Sequence, residues 1–339
     1  MALAPAASYA RTMTLYLSHL SALACIARSA DVAPSDALRR ATPRIAGPLP
    51  PACVASTAAL DALFDRSLPR PEKPVHLLVP SAAARTGDAR AVCHVRSGSF
   101  PRRSFWRLAP DACASGPELC FVQMAETLPQ AHLVRLGMEL CGTYGVPTVN
   151  QVDFDRAHPY TTVERLGRFI DEIGPVPGAK QARRALRSVV DGSASPFETA
   201  LVMLLCLPLS KGGYGLPRPE MNRGMNARWS TVRRAADKRF ACDLLWRDAA
   251  VAVEYESFQH HSKKGKLADD ARRRNDLLAH GITVVPVTTR TVQNLIELDQ
   301  VAHLLARKLG KRLRPDARSW PERQHRLHGT LLGVPDAPR

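Results

Sequence analysis

Long apolar runs are absent from this chain. No stretch approaches the ~20 apolar residues that a membrane-spanning helix needs. The best N-terminal candidate, residues 13–27, is interrupted by Ser18, His19 and Ser21, and it lacks the basic start of a signal peptide, since the first charge is Arg11. We therefore expect no membrane segment and no secretory leader, and we expect a cytoplasmic protein.

Closely spaced cysteine pairs are also absent. The eight cysteines are scattered, and no two of them form a Cys-x-x-Cys pair. Zinc ribbons and zinc fingers need such pairs, and the adjacent Cys93 and His94 lie too close together to replace one. The pattern excludes these classes and favours reduced, mostly buried thiols.

Negative charge is scarce. The 339 residues include 47 Lys and Arg against 31 Asp and Glu, which gives a formal net charge of +16. Such an excess is typical of proteins that bind a polyanion, namely nucleic acid, an anionic membrane surface or an acidic partner. The alternative is an Arg-rich, Ala-rich composition set by the genome, with no functional meaning.

The chain has no internal repeat, and its length is typical of two domains. Residues 174–178 read Gly-Pro-Val-Pro-Gly, which breaks any regular element and places a boundary at or just after this point. We predict an α+β domain over residues 1–174, a second domain over 179–312, and a basic, flexible tail over 313–339.

The first half is expected to be regulatory or DNA-binding. Residues 75–79 (Val-His-Leu-Leu-Val) predict a buried strand that ends at Pro80, and residues 133–144 have helical spacing. No acid, base or nucleophile is concentrated in this half, so we expect the chemistry to lie elsewhere.

Two helices are predicted after the boundary. Residues 179–190 form a basic amphipathic pattern, in which the cationic side chains lie away from an apolar stripe. Ser195, Pro196 and Glu198 then provide an N-cap serine, a first-turn proline and a glutamate at the capping-box position. Capping fully accounts for Glu198, and a role in a functional site is the equal alternative.

Three carboxylates are predicted to share one face of a β-hairpin. Residues 240–246 and 251–256 have strand character, with Asp243 in the first strand and Glu254 and Glu256 in the second. Side chains alternate along a strand, so a two-residue or a four-residue turn leaves all three acids on one side. Clustered carboxylates repel one another, and a hard cation such as Mg²⁺ relieves that repulsion. The alternative, an amphipathic hairpin with its acids in solvent, does not account for an aspartate inside an apolar strand.

Histidines and basic residues follow the acidic strand. The candidates for proton transfer and for phosphate binding are His260, His261, Lys263, Lys264, Lys266, Arg272 and Arg273. The two arginines fall in a predicted helix over residues 267–280, which precedes a strand over 282–288 and a last helix over 292–309. The chain after residue 150 carries +11 of the net charge of +16, so most of the basic excess falls in the half that holds the acidic hairpin.

The region from about residue 180 to 309 resembles the restriction-endonuclease-like nucleases of the PD-(D/E)XK type, in the bacterial branch related to very-short-patch-repair endonucleases. The resemblance rests on Ser-Pro-Phe-Glu at 195–198, Cys-Asp-Leu at 242–244, Val-Glu-Tyr-Glu at 253–256 with two histidines after it, and Asp-Asp-Ala-Arg-Arg-Arg-Asn at 269–275. It implies an α/β fold in which a mixed sheet is flanked by helices, preceded here by a smaller α+β domain.

By this resemblance, Asp243 and Glu254 are metal ligands with Glu256 as a third candidate, and the cofactor is Mg²⁺ or Mn²⁺. Glu198 would complete the site through water or metal, and His261, or less well His260, would assist proton transfer. The implied reaction is hydrolysis of DNA phosphodiester bonds by a metal-activated water, in defence or repair. The lysines and arginines named above would contact the nucleic acid.

Position 256 departs from the motif. The motif lysine, which follows the second acid by two positions, is replaced by Glu256, and relatives in this branch often carry Asp-Gly where this chain has Glu256 and Ser257. An acid there offers a further metal ligand but no cation, and Lys266 or a histidine is the available substitute. The competing hypotheses are a DNA-binding regulator or antitoxin-like protein without turnover, and a basic scaffold that binds nucleic acid or protein non-specifically.

Residues 1–150 faintly resemble the regulator-like N-terminal region of abortive-infection antitoxin proteins. The resemblance rests on Val-His-Leu-Leu-Val-Pro at 75–80, Pro-Glu-Leu-Cys at 117–120 and Leu-Cys-Gly at 140–142. It implies a regulatory or DNA-binding role for this domain, which is also where we expect a second copy of the chain or another protein to bind.

Overall fold

Two mixed sheets flanked by helices make up the protein, which confirms the predicted α/β class. The computed structural model describes residues 14–32, 47–50, 53, 55–65, 74–109, 111–145, 156, 158–225, 240–256, 275, 277–316 and 318–333. Within these ranges, no helix is both long and apolar enough to cross a membrane. None of the eight cysteines forms a disulfide, and five of them are buried, as predicted.

The chain divides into two compact units. The first unit holds residues 1–128 and 164–183, and the second holds 129–163 and 184–339. This division differs from the predicted domains over 1–174 and 179–312, because a helix at Gln130–Leu140 packs against a helix at Pro196–Cys206 within the second unit. Contacts of this kind join distant parts of the chain and are not marked by prolines or glycines, so a boundary set by them could not be predicted from the sequence.

The first unit is built on a five-stranded sheet of order β3-β2-β1-β5-β4. Its strands are β1 (Leu15–Leu17), β2 (Val75–Val79), β3 (Ala91–Val95), β4 (Phe105–Ala109) and β5 (Ala112–Ser115). Strand β1 pairs antiparallel with β2 and parallel with β5, while β2 pairs parallel with β3 and β4 pairs antiparallel with β5. The buried strand predicted over residues 75–79 is therefore confirmed, and it lies beside the centre of the sheet.

Helices cover this sheet in the first unit. They are α1 (His19–Val32), α2 (Thr57–Asp65), α3 (Pro117–Met124) and α5 (Val163–Ile173), of which only the first residue of α5 is assigned to the second unit. Helix α4 (Gln130–Leu140) belongs to the second unit. Helix α1 packs against both β2 and α3. The core includes Phe105, Phe121 and Leu77, all of which are fully buried. Helix α6 (Ala179–Leu186) ends four residues before the predicted end at residue 190.

The second unit is built on a four-stranded sheet of order β6-β7-β8-β9. Its strands are β6 (Glu220–Met225), β7 (Phe240–Trp246), β8 (Val251–Glu256) and β9 (Thr283–Thr288). Strands β6, β7 and β8 run antiparallel, and β9 runs parallel to β8. Strands β7, β8 and β9 confirm the sequence predictions, whereas β6 was not predicted, because its Glu-Met-Asn-Arg-Gly-Met sequence has weak strand propensity.

The helices of the second unit differ from the predictions over residues 289–308 and in the predicted tail over residues 313–339. Besides α4 they are α7 (Pro196–Cys206), α8 (Thr289–Gln293), α9 (Leu295–Lys308) and α10 (Trp320–Leu332). The single helix predicted over residues 292–309 is two helices, because the Asn294 side chain accepts hydrogen bonds from the backbone N–H groups of Ile296 and Glu297 and so caps α9. The helix predicted over residues 267–280 lies mostly outside the described residues.

The predicted flexible tail over residues 313–339 contains helix α10, which is anchored to the second unit. The Trp320 indole N–H donates to the Gly213 carbonyl at 3.1 Å, and the Gln324 amide donates to the Tyr214 hydroxyl at 2.7 Å. Leu327 and Leu331 are buried on the same helix. Their spacing forms one apolar face, and its burial explains why this basic segment is ordered.

Candidate functional site

Helix α7 begins at the capping arrangement that the sequence predicts. The Ser195 hydroxyl accepts a hydrogen bond from the Glu198 backbone N–H at 3.1 Å, and Pro196 occupies the first turn. The Glu198 carboxylate in turn accepts from the Ala194 backbone N–H at 2.9 Å. These reciprocal bonds fix the Glu198 side chain at the helix start, and only 6% of that residue is exposed.

Strand β6 supplies a site residue that sequence reasoning missed. The Asn222 amide N–H group donates to the Glu198 carboxylate at 2.6 Å and to the Gly192 carbonyl at 3.0 Å. Asn222 has a φ of 47°, in the left-handed region that asparagine tolerates better than most residues. Met221 pairs with Leu244 and Arg223 pairs with Cys242, so Asn222 lies directly across from Asp243. A lone asparagine in a segment of weak strand propensity gives no usable signal in the sequence.

The β7–β8 hairpin has the four-residue turn, one of the two registers left open by the sequence. Trp246 pairs with Val251, and Ala250 closes the turn with a φ of 48°. The register continues through Leu244 opposite Val253, so that Asp243 and Glu254 occupy the next opposing positions.

Asp243 bridges the two strands through its side chain. Its carboxylate accepts a hydrogen bond from the Tyr255 backbone N–H at 2.6 Å, so this oxygen lies beside the backbone that joins Glu254 to Glu256. Both glutamates are partly buried, and their alternate positions place them on one side of β8. The ladder of paired residues ends at Leu244 and Val253, so the predicted gathering of these acids at one point stays a prediction.

Tyr255 ties helix α7 to the acidic strand. Its ring stacks on the Phe197 ring with centroids 5.6 Å apart and planes at 14°. Its hydroxyl lies 2.8 Å from the Thr289 hydroxyl at the start of α8. Because Phe197 is next to Glu198, this stacking holds the helix start against the strand that carries Glu254 and Glu256.

The electrostatics link Glu198 with Asp243. Burial first, and the negative charge of Asp243 to a smaller extent, raise the pKa of Glu198 to about 7, against hydrogen bonds from Ala194, Asn222 and Ser195 that lower it. Burial is also the main reason why the pKa of Tyr255 is raised, with an added effect of the Glu198 charge. Two nearby carboxylates repel each other when both are ionised, so a cation would bind favourably beside them.

The acids do not form a tight three-ligand cage. In the described part of the chain, one group of three or more His, Cys, Asp or Glu side chains has its ligand atoms all within 4.8 Å of one another, and that group is His19, His76 and His94. Mg²⁺ commonly keeps several waters and uses only one or two protein carboxylates. The donors Asp243 and Glu254 fit that mode of binding better than a closed protein cage.

The predicted basic and proton-transfer residues cannot be placed. His260, His261, Lys263, Lys264, Lys266, Arg272 and Arg273 lie outside the described residues. Of the predicted site, the structure therefore positions the carboxylates of α7, β7 and β8.

The histidine group corrects the expectation that the first half concentrates no acid, base or nucleophile. Its members lie on three different elements, at the start of α1, on β2 and on β3. Their wide separation in the sequence matches no metal-binding motif, so only the pairing of β1, β2 and β3 reveals that they are neighbours.

Replacing Glu198 with glutamine is expected to change how stability depends on pH. The pKa of Glu198 rises from its ordinary value of 4.5 to about 7 in the folded protein, so the folded state holds this proton more tightly than the unfolded state. The stability of the wild type relative to Glu198→Gln is then highest below pH 4.5, falls as the pH rises to about 7, and stays level above it.

The size of this fall is ~1–3 kcal/mol, measured by urea unfolding of both proteins in the presence of a chelator. A stability difference that stays constant across this pH range, or that favours the wild type more at higher pH, would contradict the account.

Comparisons with known proteins show similarity to uncharacterized proteins. The chain matches no protein-family model, and no solved structure matches it. It is 29% identical over 133 residues to an uncharacterized protein of Mycobacterium tuberculosis, in strain CDC 1551 / Oshkosh and in strain H37Rv. The match covers 38% of this chain and 43% of each relative, so the chain spans less than half the length of the curated relatives it matches.

Proposed function

We propose that this protein is a metal-dependent nuclease that hydrolyses DNA phosphodiester bonds, with a role in defence or repair. The observation that carries the proposal is the electrostatic contact between Asp243 on β7 and the buried Glu198 of α7. Asp243 precedes the last paired residue of β7, Leu244, and Glu254 follows its partner Val253 on β8, so the proposal places these two acids side by side at the same end of the hairpin.

The order of elements supports the same proposal. Helix α7 is followed by three antiparallel strands and then by a fourth strand parallel to the third. The two middle strands carry the acids, which agrees with the arrangement that the resemblance to restriction-endonuclease-like nucleases implies. The additional strand β6 contributes Asn222, which holds Glu198 in place.

The residues present fit a divalent metal. Asp243 and Glu254 would bind Mg²⁺ or Mn²⁺ through hard carboxylate oxygens, with Glu256 as a further ligand on the same side of β8. When bound, such an ion supplies a Lewis acid that activates water and offsets charge on the scissile phosphate. The Tyr255 N–H orients the Asp243 carboxylate, and Asn222 and Ala194 hold the Glu198 carboxyl, whose raised pKa suits it to carry a proton near neutral pH.

DNA is the proposed partner. The basic excess lies in the half of the chain that holds the acids, and the lysines and arginines that follow β8 supply phosphate contacts in this proposal. Position 256 is the exception, because its carboxylate replaces the cation that the motif places next to the metal. In the proposed site, Lys266 or a histidine takes the place of that cation.

Incubation of supercoiled plasmid with purified protein tests the proposal. We expect nicking in Mg²⁺ or Mn²⁺, none in chelator, and none with Asp243→Ala. The matched control is Asp248→Ala, because Asp248 is an exposed aspartate in the turn of the same hairpin. Equal nicking by the wild type and Asp243→Ala would contradict the proposal, since it would point to a contaminating nuclease. Salt-sensitive DNA binding without cleavage would favour the regulator hypothesis instead.

A further inference from the structure

Three histidines meet at one face of the sheet in the first unit, whereas the residues of the proposed nuclease site belong to the second unit. The β2–β3 register pairs His76 with Val92 and Leu78 with His94, so that the two histidines project from the same face. His19 is the first residue of α1. One residue, Ser18, separates it from the end of β1, the strand that pairs with β2. Their ligand atoms all lie within 4.8 Å of one another.

The rings are in direct contact. The His76 Nδ1 and His94 Nε2 atoms are 2.9 Å apart, and the His19 ring stacks on the His94 ring with centroids 3.8 Å apart. Only one proton can lie between the two nitrogens, so at least one of them presents a lone pair to the other. A lone pair of this kind, on a neutral imidazole, is what a metal ion binds.

The His19 ring is oriented by a neighbouring hydroxyl. Its Nδ1 atom lies 3.0 Å from the Ser18 hydroxyl, and in the tautomer that donates to Ser18 the Nε2 atom carries the lone pair. Its backbone has a φ of 48°, a left-handed conformation that is costly for histidine and that is frequent at functional sites. The fold thus accepts backbone strain to hold a buried imidazole at this point.

A cavity lined by both apolar and polar side chains adjoins the group. It has a volume of about 280 Å³, and its lining includes His19, His94, Gln123, Arg96 and Glu126. The Gln123 Oε1 atom accepts from the His19 backbone N–H at 3.2 Å, which fixes the orientation of the amide. The Gln123 Nε2 atom is buried and has no hydrogen-bond partner in the described part of the chain, although the residue is only 5% exposed. Such an orphaned donor indicates that a ligand or water completes the site.

We propose that His19, His76 and His94 bind one divalent transition-metal ion of zinc type, with a fourth coordination position that opens to this cavity. Imidazole is a preferred ligand of Zn²⁺, whereas Mg²⁺ prefers oxygen, so this ion is chemically distinct from the one at the acidic hairpin. Within the described residues, no fourth His, Cys, Asp or Glu joins the group. Three protein ligands with an open position are typical of zinc sites that bind water or substrate, whereas structural zinc sites are closed by four protein ligands.

The fourth ligand would be water or a small anion. Arg85 and Arg96 line the cavity and provide positive charge, and the unpartnered Gln123 amide provides a hydrogen-bond donor beside the group. The inference is independent of the proposed nuclease, because none of these residues belongs to the second unit.

Zinc titration of the chelator-treated, full-length protein tests this site. We expect one tight equivalent of Zn²⁺ by calorimetry, and Co²⁺ in its place is expected to give the visible absorption bands of four-coordinate cobalt. His76→Gln and His94→Gln are expected to weaken Zn²⁺ binding by at least ~100-fold and to lose the cobalt bands. The matched control His132→Gln, at an exposed position on α4, is expected to bind as the wild type does.

Zinc X-ray absorption of the wild type provides a readout that needs no folded variant. We expect the scattering signature of three imidazoles around one zinc ion. Absence of a stoichiometric zinc equivalent, fewer than three imidazoles in the spectrum, or unchanged affinity in His76→Gln and His94→Gln would each overturn the proposal. None of these measurements depends on DNA cleavage, so failure of the nuclease proposal leaves this test intact.

Discussion

Replacing Glu254 with glutamine is expected to lower the rate of metal-dependent DNA cleavage by ~100-fold or more. Glu254 lies on β8, one residue beyond the Val253 that pairs with Leu244, and in the proposed site its carboxylate binds the same ion as the carboxylate of Asp243. An amide keeps the shape of the side chain but carries no charge to offset that of a divalent cation. The remaining aspartate would bind the metal more weakly, so the Mg²⁺ concentration needed for half-maximal cleavage should rise as well.

The matched control for this variant is Glu220→Gln. Glu220 is a glutamate of the same sheet, and it forms an ion pair with Arg247 at 2.8 Å, in which a little under half of each side chain is exposed. Exposed pairs contribute ~1 kcal/mol or less, so the control should fold and cleave as the wild type does. Cleavage by Glu254→Gln at the rate of Glu220→Gln, with an unchanged Mg²⁺ requirement, would remove Glu254 from the site.

Replacing Asn222 with glycine is expected to lower cleavage by ~10- to 100-fold, because the Glu198 carboxylate loses the amide that holds it at 2.6 Å. Glycine adopts the observed φ of 47° without strain, so this variant isolates the loss of the side chain. Asn222→Ala removes the same amide and adds a left-handed alanine, which should cost a further ~1 kcal/mol of folding stability.

Cleavage rates and urea unfolding of Asn222→Gly and Asn222→Ala separate these two effects. The account predicts similar cleavage rates for the two variants when both are folded, and lower stability for the alanine variant. Wild-type cleavage by Asn222→Gly would show that Asn222 has no part in positioning Glu198 for the reaction.

Local patterns in the sequence predicted the acidic hairpin and the start of α7 well. Alternation and apolar content define β7 and β8 at residues 240–246 and 251–256, as observed. The serine cap with proline and glutamate defines the first turn of α7, because the hydrogen bonds involved connect residues that are adjacent in the chain. Both periodicity and capping depend on neighbours in the sequence, which is why these elements could be predicted.

Features that depend on distant contacts could not be predicted in the same way. Strand β6 exists because β7 offers it an edge for pairing, and this pairing brings Asn222 to Glu198. Helix α10 is ordered because Trp320 and Gln324 find partners more than a hundred residues away. The histidine group depends on the order of strands in the first sheet, and strand order follows from tertiary packing instead of residue spacing.

In the proposed nuclease, carboxylates of β7 and β8 hold a divalent metal at the site of cleavage. Anomalous diffraction from crystals of the protein grown with Mn²⁺ locates that metal, because manganese scatters anomalously and reveals its own ligands. We expect a manganese peak bonded to carboxylate oxygens of Asp243 and Glu254. A manganese-dependent preparation that cleaves DNA but shows no peak at these two residues would contradict it.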